Sequence, residues 1–142
     1  MARIERFEEI VSWKDSRKLN QVIGHWIDTG RFKHSYRLIN QIEGSAGSIM
    51  DNIAEGFERG GNKEFIQYLY IAKASCGELR SQLYRALDRK YILQNEFDIL
   101  SADAMKISSL IQKLINYLAT SDKRGSKYNP KQPKSSQTFK TP

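Results

Sequence analysis

The chain has 142 residues, 39% of them hydrophobic and 27% charged, with a formal charge of +7. That length predicts one domain with a real core. No apolar run approaches the ~20 residues that cross a bilayer, MARIERFEEI is too charged for a secretory signal, and a lone Cys76 excludes a disulfide framework or a thiolate metal cluster.

A cytoplasmic protein without a membrane partner is therefore expected. The charge is uneven. Residues 122–142 hold six Lys/Arg against Asp122, or +5, and residues 1–121 hold 17 against 15 acids, or +2. The overall basicity mostly describes the C-terminal stretch, which weakens charge alone as an argument for nucleic acid.

Phe7 to Val11 reads as a short amphipathic lead-in. Ser12, with Asp15 three residues on, has the spacing of an N-cap and its capping-box partner. A first helix would carry Leu19, Val22, Ile23, Trp26 and Ile27 on one face and stop at Gly30, where a left-handed residue is favoured. Arg31 to His34 is a basic connector, and Ser35 is placed to cap a second helix running to about Phe57.

The second helix contains QIEGSAGSIMDNIAEGF, residues 41–57. Ile42, Ala46, Ile49 and Ile53 recur at helical spacing on one face. Gln41, Ser45, Ser48, Asn52 and Glu55 form a polar stripe one position out of phase. The five small residues from Gly44 to Ser48 predict close approach of a neighbouring helix or subunit, because each helical glycine costs roughly 1 kcal/mol relative to alanine. The polar stripe admits two readings, the lining of a ligand site or a buried hydrogen-bond ladder that fixes register. The ladder is favoured, since buried polar groups usually find protein partners.

Glu58 to Gly61 is a turn, and Asn62 has the chemistry of a cap for a third helix. Its seam, Phe65, Leu69, Ala72, Cys76, Leu79, Leu83 and Ala86, alternates steps of 4 and 3. Asp88 to Leu93 connects to a fourth helix, with Asn95 and Asp98 as cap and partner. Its seam is Phe97, Leu100, Ala104, Ile107, Ile111, Leu114 and Leu118. The expected fold is all-α, an up-down-up-down four-helix bundle over residues 1–121. Residues 122–142, rich in Pro, Ser and Lys, are expected to be a disordered basic tail.

Catalytic and metal chemistry find little support. A di-iron bundle site needs Glu-x-x-His pairs, but His25 and His34 do not follow a Glu at that spacing. Cys76 lies on a seam, the serines lack a nearby histidine base, and GFERGG (residues 56–61) lacks the Lys-Ser/Thr of a phosphate loop. No enzyme activity, cofactor or metal is expected.

The basic residues carry more information. Arg80, Arg85, Arg89 and Lys90 gather near the end of helix three with Tyr84 and Tyr91 between them, and Arg31, Lys33 and Arg37 gather around the first connector. Both connectors follow odd-numbered helices, so in such a bundle they share one end. That end could hold phosphates and stack bases. Cations at helix C-termini also complement the macrodipole, which accounts for Arg85, Arg89 and Lys90 better than for Arg31, Lys33 and Arg37.

The pattern QI…A.SI..NIAEGF…EF..YL.IA..S..EL resembles the bacterial four-helix-bundle proteins encoded in intervening sequences of 23S rRNA genes. That family includes the accessory variability determinant of diversity-generating retroelements. Gln41, Ile42, Ala46, Ser48, Ile49, Asn52 to Gly56, Phe65, Leu69, Ile71, Ala72, Ser75, Glu78 and Leu79 carry the likeness, with Phe7 and Trp13 in the lead-in. The resemblance implies a ring-shaped homopentamer. For the retroelement branch it also implies nucleic-acid binding and association with a reverse transcriptase. Glu43 and Gly44 stand where the family often has basic residues, which shifts weight to the basic end and the tail. The alternative is a structural or protein-interaction module with no nucleic-acid binding of its own.

Overall fold

The computed structural model describes residues 3–128, with side chains through Ser121. A single 3-10 turn, Phe7–Glu9, leads into α1 (Val11–Asp28), α2 (Tyr36–Glu58), α3 (Asn62–Asp88) and α4 (Gln94–Tyr128). No strand occurs among the described residues. The short connectors make sequential neighbours antiparallel. Helix α1 packs on α2 and α4, and α3 on the same two, most extensively on α2. This is the up-down-up-down bundle that the hydrophobic periods predict.

Every seam residue named for α3 and α4 is buried, from Phe65 to Ala86 and from Phe97 to Leu118. Ile42, Ala46, Ile49 and Ile53 of α2 are fully enclosed. Each large aliphatic side chain sealed in this way contributes roughly 1.5–3 kcal/mol. Helix α1 departs from its expected face at Val22, which is exposed, while Leu19, Ile23 and Trp26 point inward.

The helix starts differ from the sequence expectation. Helix α1 begins at Val11 behind Ile10, and Ser12 is a buried residue inside the first turn rather than its cap. Asn62 is the first residue of α3, and its side-chain amide donates to the Leu118 carbonyl of α4. Helix α4 starts after Leu93, whose N–H donates to Glu96 Oε1 at 2.8 Å. That is the return half of a capping box, on Glu96 instead of Asp98. Ser35 does precede α2, but no side-chain cap bond forms there.

The stops follow rule. Gly30 has φ of 76°, with Arg31 N–H donating to Trp26 O and Gly30 N–H to Ile27 O, the paired bonds of a Schellman motif. Helix α3 ends in the same motif, but Lys90 occupies the left-handed position with φ of 63°.

Within the chain, no neighbouring helix comes close to the glycines of the small-residue run. A Cβ at Gly44 would meet nothing within 4 Å, and at Gly47 only Asp51 Oδ2 at 3.9 Å. The tight contact lies at Gly56, where a Cβ would sit 2.6 Å from Tyr68 Cβ and 3.0 Å from Phe65 Cδ1. Glycine is needed there because α3 packs directly on the α2 backbone.

The polar stripe lies beside α3, buried at Ser45, half-buried at Ser48 and Asn52, and exposed at Gln41 and Glu55. Arg85 Nη1 donates to Gln41 Oε1 at 2.7 Å, Ser45 Oγ to Gln82 Oε1 at 2.5 Å, and Ser75 Oγ to Ser48 Oγ at 2.8 Å. Asn52 Nδ2 donates to the Ser48 carbonyl and hydroxyl. The ladder therefore fixes the register of α2 on α3, since a shift along either helix would leave the buried Ser45 and Gln82 unpaired.

Helix α4 continues seven residues beyond Ser121, to Tyr128. The expectation of a disordered tail otherwise concerns residues 129–142, which lie outside the described residues.

Candidate nucleic-acid interface

Both connectors following odd-numbered helices meet at one end of the bundle, and aromatic packing joins them. Phe32, fully buried in the first connector, lies edge-on to Trp26 at 6.5 Å and to Tyr91 of the second connector at 5.9 Å. Arg31 spans the same junction. Its guanidinium lies 5.7 Å from the Trp26 ring, its Nε donates to the Tyr91 carbonyl at 3.3 Å, and its Nη2 donates to Glu96 Oε1. The Arg31 guanidinium holds the Glu96 carboxyl below its ordinary range, and the Leu93 N–H acts in the same direction. Arg31 is thus committed to joining the connectors.

Lys33, Arg37, Arg85, Arg89 and Lys90 are exposed at this end. None lies within ion-pair distance of a carboxylate among the described residues. Arg85 is held by Gln41, and Arg89 donates to Ser35 Oγ at 3.3 Å while lying 4.9 Å over the Tyr91 ring. Lys33, like Lys90, has a left-handed backbone, with φ of 53°. Arg80 stands apart. It lies nine residues before Arg89, or about 13 Å along the helix, and its Nε is buried without a hydrogen-bond partner.

The aromatic residues sort differently from the sequence reading. Tyr84 packs against Phe97 with ring centroids 4.6 Å apart, and Tyr91 is half-buried beneath Arg89. Tyr84 keeps an exposed face, and the open rings of the first connector and the α2 start are His34 and Tyr36, which sequence reasoning passed over. The run KHSYR, residues 33–37, was the available signal, with rings alternating between cations.

The far end of α2 holds a second polar cluster. Arg59 Nη2 donates to Glu55 Oε2 at 2.9 Å, and its Nη1 lies 3.6 Å from the buried Glu64. Arg59 and then the Tyr68 hydroxyl hold the Glu55 carboxyl low. Burial pushes the Cys76 thiol up to about 12, far from a reactive thiolate. No group of three or more His, Cys, Asp or Glu is arranged for a metal ion among the described residues. No described helix is long and apolar enough to cross a membrane.

The fold and its basic end define a small all-α bundle protein with exposed cations gathered around two neighbouring connectors. The sequence pattern of the 23S rRNA-intervening sequence protein family matches residues 8–113, and the chain belongs to that family. A crystal structure of a protein of unknown function from the S23 ribosomal protein family of Bacteroides thetaiotaomicron VPI-5482 is similar in fold. Its TM-score is 0.68 at 23% identity, with 74% of this chain and 98% of that chain covered. No curated protein matches the chain.

Proposed function

We propose that the protein is a non-enzymatic, oligomeric bundle that binds RNA or DNA through its cationic pole. One observation carries this reading. Lys33, Arg37, Arg85, Arg89 and Lys90 are gathered at one end, exposed, and within ion-pair distance of no described carboxylate. Uncompensated cations on a rigid surface attract phosphates and release counterions on binding. The α2 and α4 N-termini at this end are offset by the α1 and α3 C-termini, so the positive potential comes from the side chains.

A homo-oligomer is part of the proposal, and the family resemblance suggests a pentamer. Support comes from the outer face of α3. Tyr70, Ala74, Gly77, Ser81 and Tyr84 are all exposed and step by 4, 3, 4 and 3, a second heptad stripe beside the buried one. The retroelement branch of the family suggests a reverse transcriptase as the partner protein. The same stripe also favours a second reading, a protein-interaction module in which the pole binds no nucleic acid.

The discriminating experiment compares the Arg85→Ala/Arg89→Ala protein with one lacking residues 122–142. The pole predicts that the double substitution weakens nucleic-acid binding more than the truncation, although residues 122–142 carry +5 of the net charge. If the truncation alone removes all binding, the bundle is only a scaffold for its tail.

A further inference from the structure

Resting on that reading of the pole, we infer that its ligand is single-stranded nucleic acid, with a base stacked on Tyr36 beside His34. Tyr36 is the first residue of α2 and is 65% exposed. Its ring lies 6.0 Å from that of His34, tilted by 57°, and its hydroxyl is 3.2 Å from His34 Nδ1. The hydrogen bond holds two exposed rings in a fixed relation, so less side-chain freedom is lost when a base arrives.

Their neighbours supply the rest of a single-strand site. Lys33 precedes the pair and Arg37 follows it, both exposed. Ser35, between the rings in sequence, is fixed by Arg89 from the second connector. The segment thus alternates cation, ring, hydroxyl, ring and cation along a few residues. A backbone of phosphates beside unstacked bases matches that alternation.

The other rings at this end cannot serve. Trp26 and Phe32 are buried, Arg89 covers a face of Tyr91, and Tyr84 packs on Phe97. A duplex offers phosphates to Lys33 and Arg37 but keeps its base faces stacked inside, so only an unpaired base can reach the Tyr36 ring. Stacking does not read the 2′-hydroxyl, so single strands of RNA and DNA both qualify.

The test is fluorescence anisotropy of the full-length protein with labelled single-stranded RNA, single-stranded DNA and duplex DNA of one sequence. Strands of ~20 nucleotides exceed the site size of a single binding module. Tyr36→Ala should lower affinity for both single strands about tenfold, Tyr36→Phe, which keeps the ring but not the bond to His34, should lower it less, and neither should move duplex affinity. The inference is overturned if Tyr36→Ala leaves single-strand affinity unchanged, or if it lowers single-strand and duplex affinity equally. Duplex-only binding would also overturn the stacking while leaving the cationic pole intact. Absence of binding to all three probes by the unaltered protein would overturn both.

Discussion

Arg31 Nη2 and the Leu93 N–H converge on one oxygen, Oε1 of Glu96. A single carboxylate therefore closes the start of α4 and fastens the first connector to it. The cationic pole owes its shape to this junction, because Arg31, Phe32 and Tyr91 position the segments that carry Lys33, Arg37, Arg89 and Lys90.

Glu96→Ala should destabilise the fold by about 1–2 kcal/mol, combining a lost cap with a lost charge-assisted bond. Urea titration followed by circular dichroism would measure it. The acid limb has a definite sign. Glu96 is depressed by Arg31 and by Leu93 N–H, so its contribution is complete above the unfolded glutamate value of about 4.3 and is lost as pH falls through the lower folded value. Glu96→Gln should therefore lose less stability than the parent across that acidic window. An unchanged acid limb would contradict the junction.

The helical glycines separate cleanly. Gly56→Ala should cost about 1–3 kcal/mol despite alanine's better propensity, because its methyl meets Tyr68 Cβ and Phe65. Gly44→Ala has open space and should stabilise an isolated chain by up to ~1 kcal/mol. Thermal melts of the two proteins should move in opposite directions.

These glycines show how far the sequence could be read. Heptad spacing exposed the two long seams residue by residue, because a 3.6-residue period places a side chain without knowledge of its neighbour. The same period cannot tell which of Gly44, Gly47 and Gly56 a neighbouring backbone will touch, since that depends on the register between α2 and α3. The rungs to Gln82 and Ser75 were hidden for the same reason.

The caps failed locally. Asn62 and Asn95 have the right chemistry, but Asn62 reaches to α4 and Leu93, a residue with no side-chain acceptor, holds the α4 cap position. At the pole, composition found the cations but not their division of labour. Arg31 became structural through Glu96 and the Tyr91 carbonyl, both distant in sequence, while Arg89 also touches Ser35 and keeps its charge exposed.

Lys90 offers a trade between stability and binding. A non-glycine residue at φ of 63° costs roughly 1 kcal/mol. Lys90→Gly should raise the melting temperature while lowering nucleic-acid affinity and the steepness of its salt dependence. A protein that is both less stable and binds equally well would show that Lys90 serves neither role.

Oligomerisation should be visible by light scattering at micromolar concentration as a mass several times 16.4 kDa. Replacing Tyr70 and Tyr84 with Glu should dissociate the assembly without loss of helix content, since both rings are half-exposed in the single chain. A monomeric parent protein would refute the assembly.

Binding at the cationic pole is tested most directly by titrating the intact protein against a single-stranded oligonucleotide over a range of salt concentrations. The account predicts a log–log slope of about −0.7 for each phosphate neutralised, and hence a slope of roughly −2 to −4 if three to five cations of the pole engage. Arg85→Ala/Arg89→Ala should make that slope shallower. No salt-sensitive binding near ~100 mM salt, where cationic sites of this kind retain affinity, would contradict the account and leave the interaction module standing.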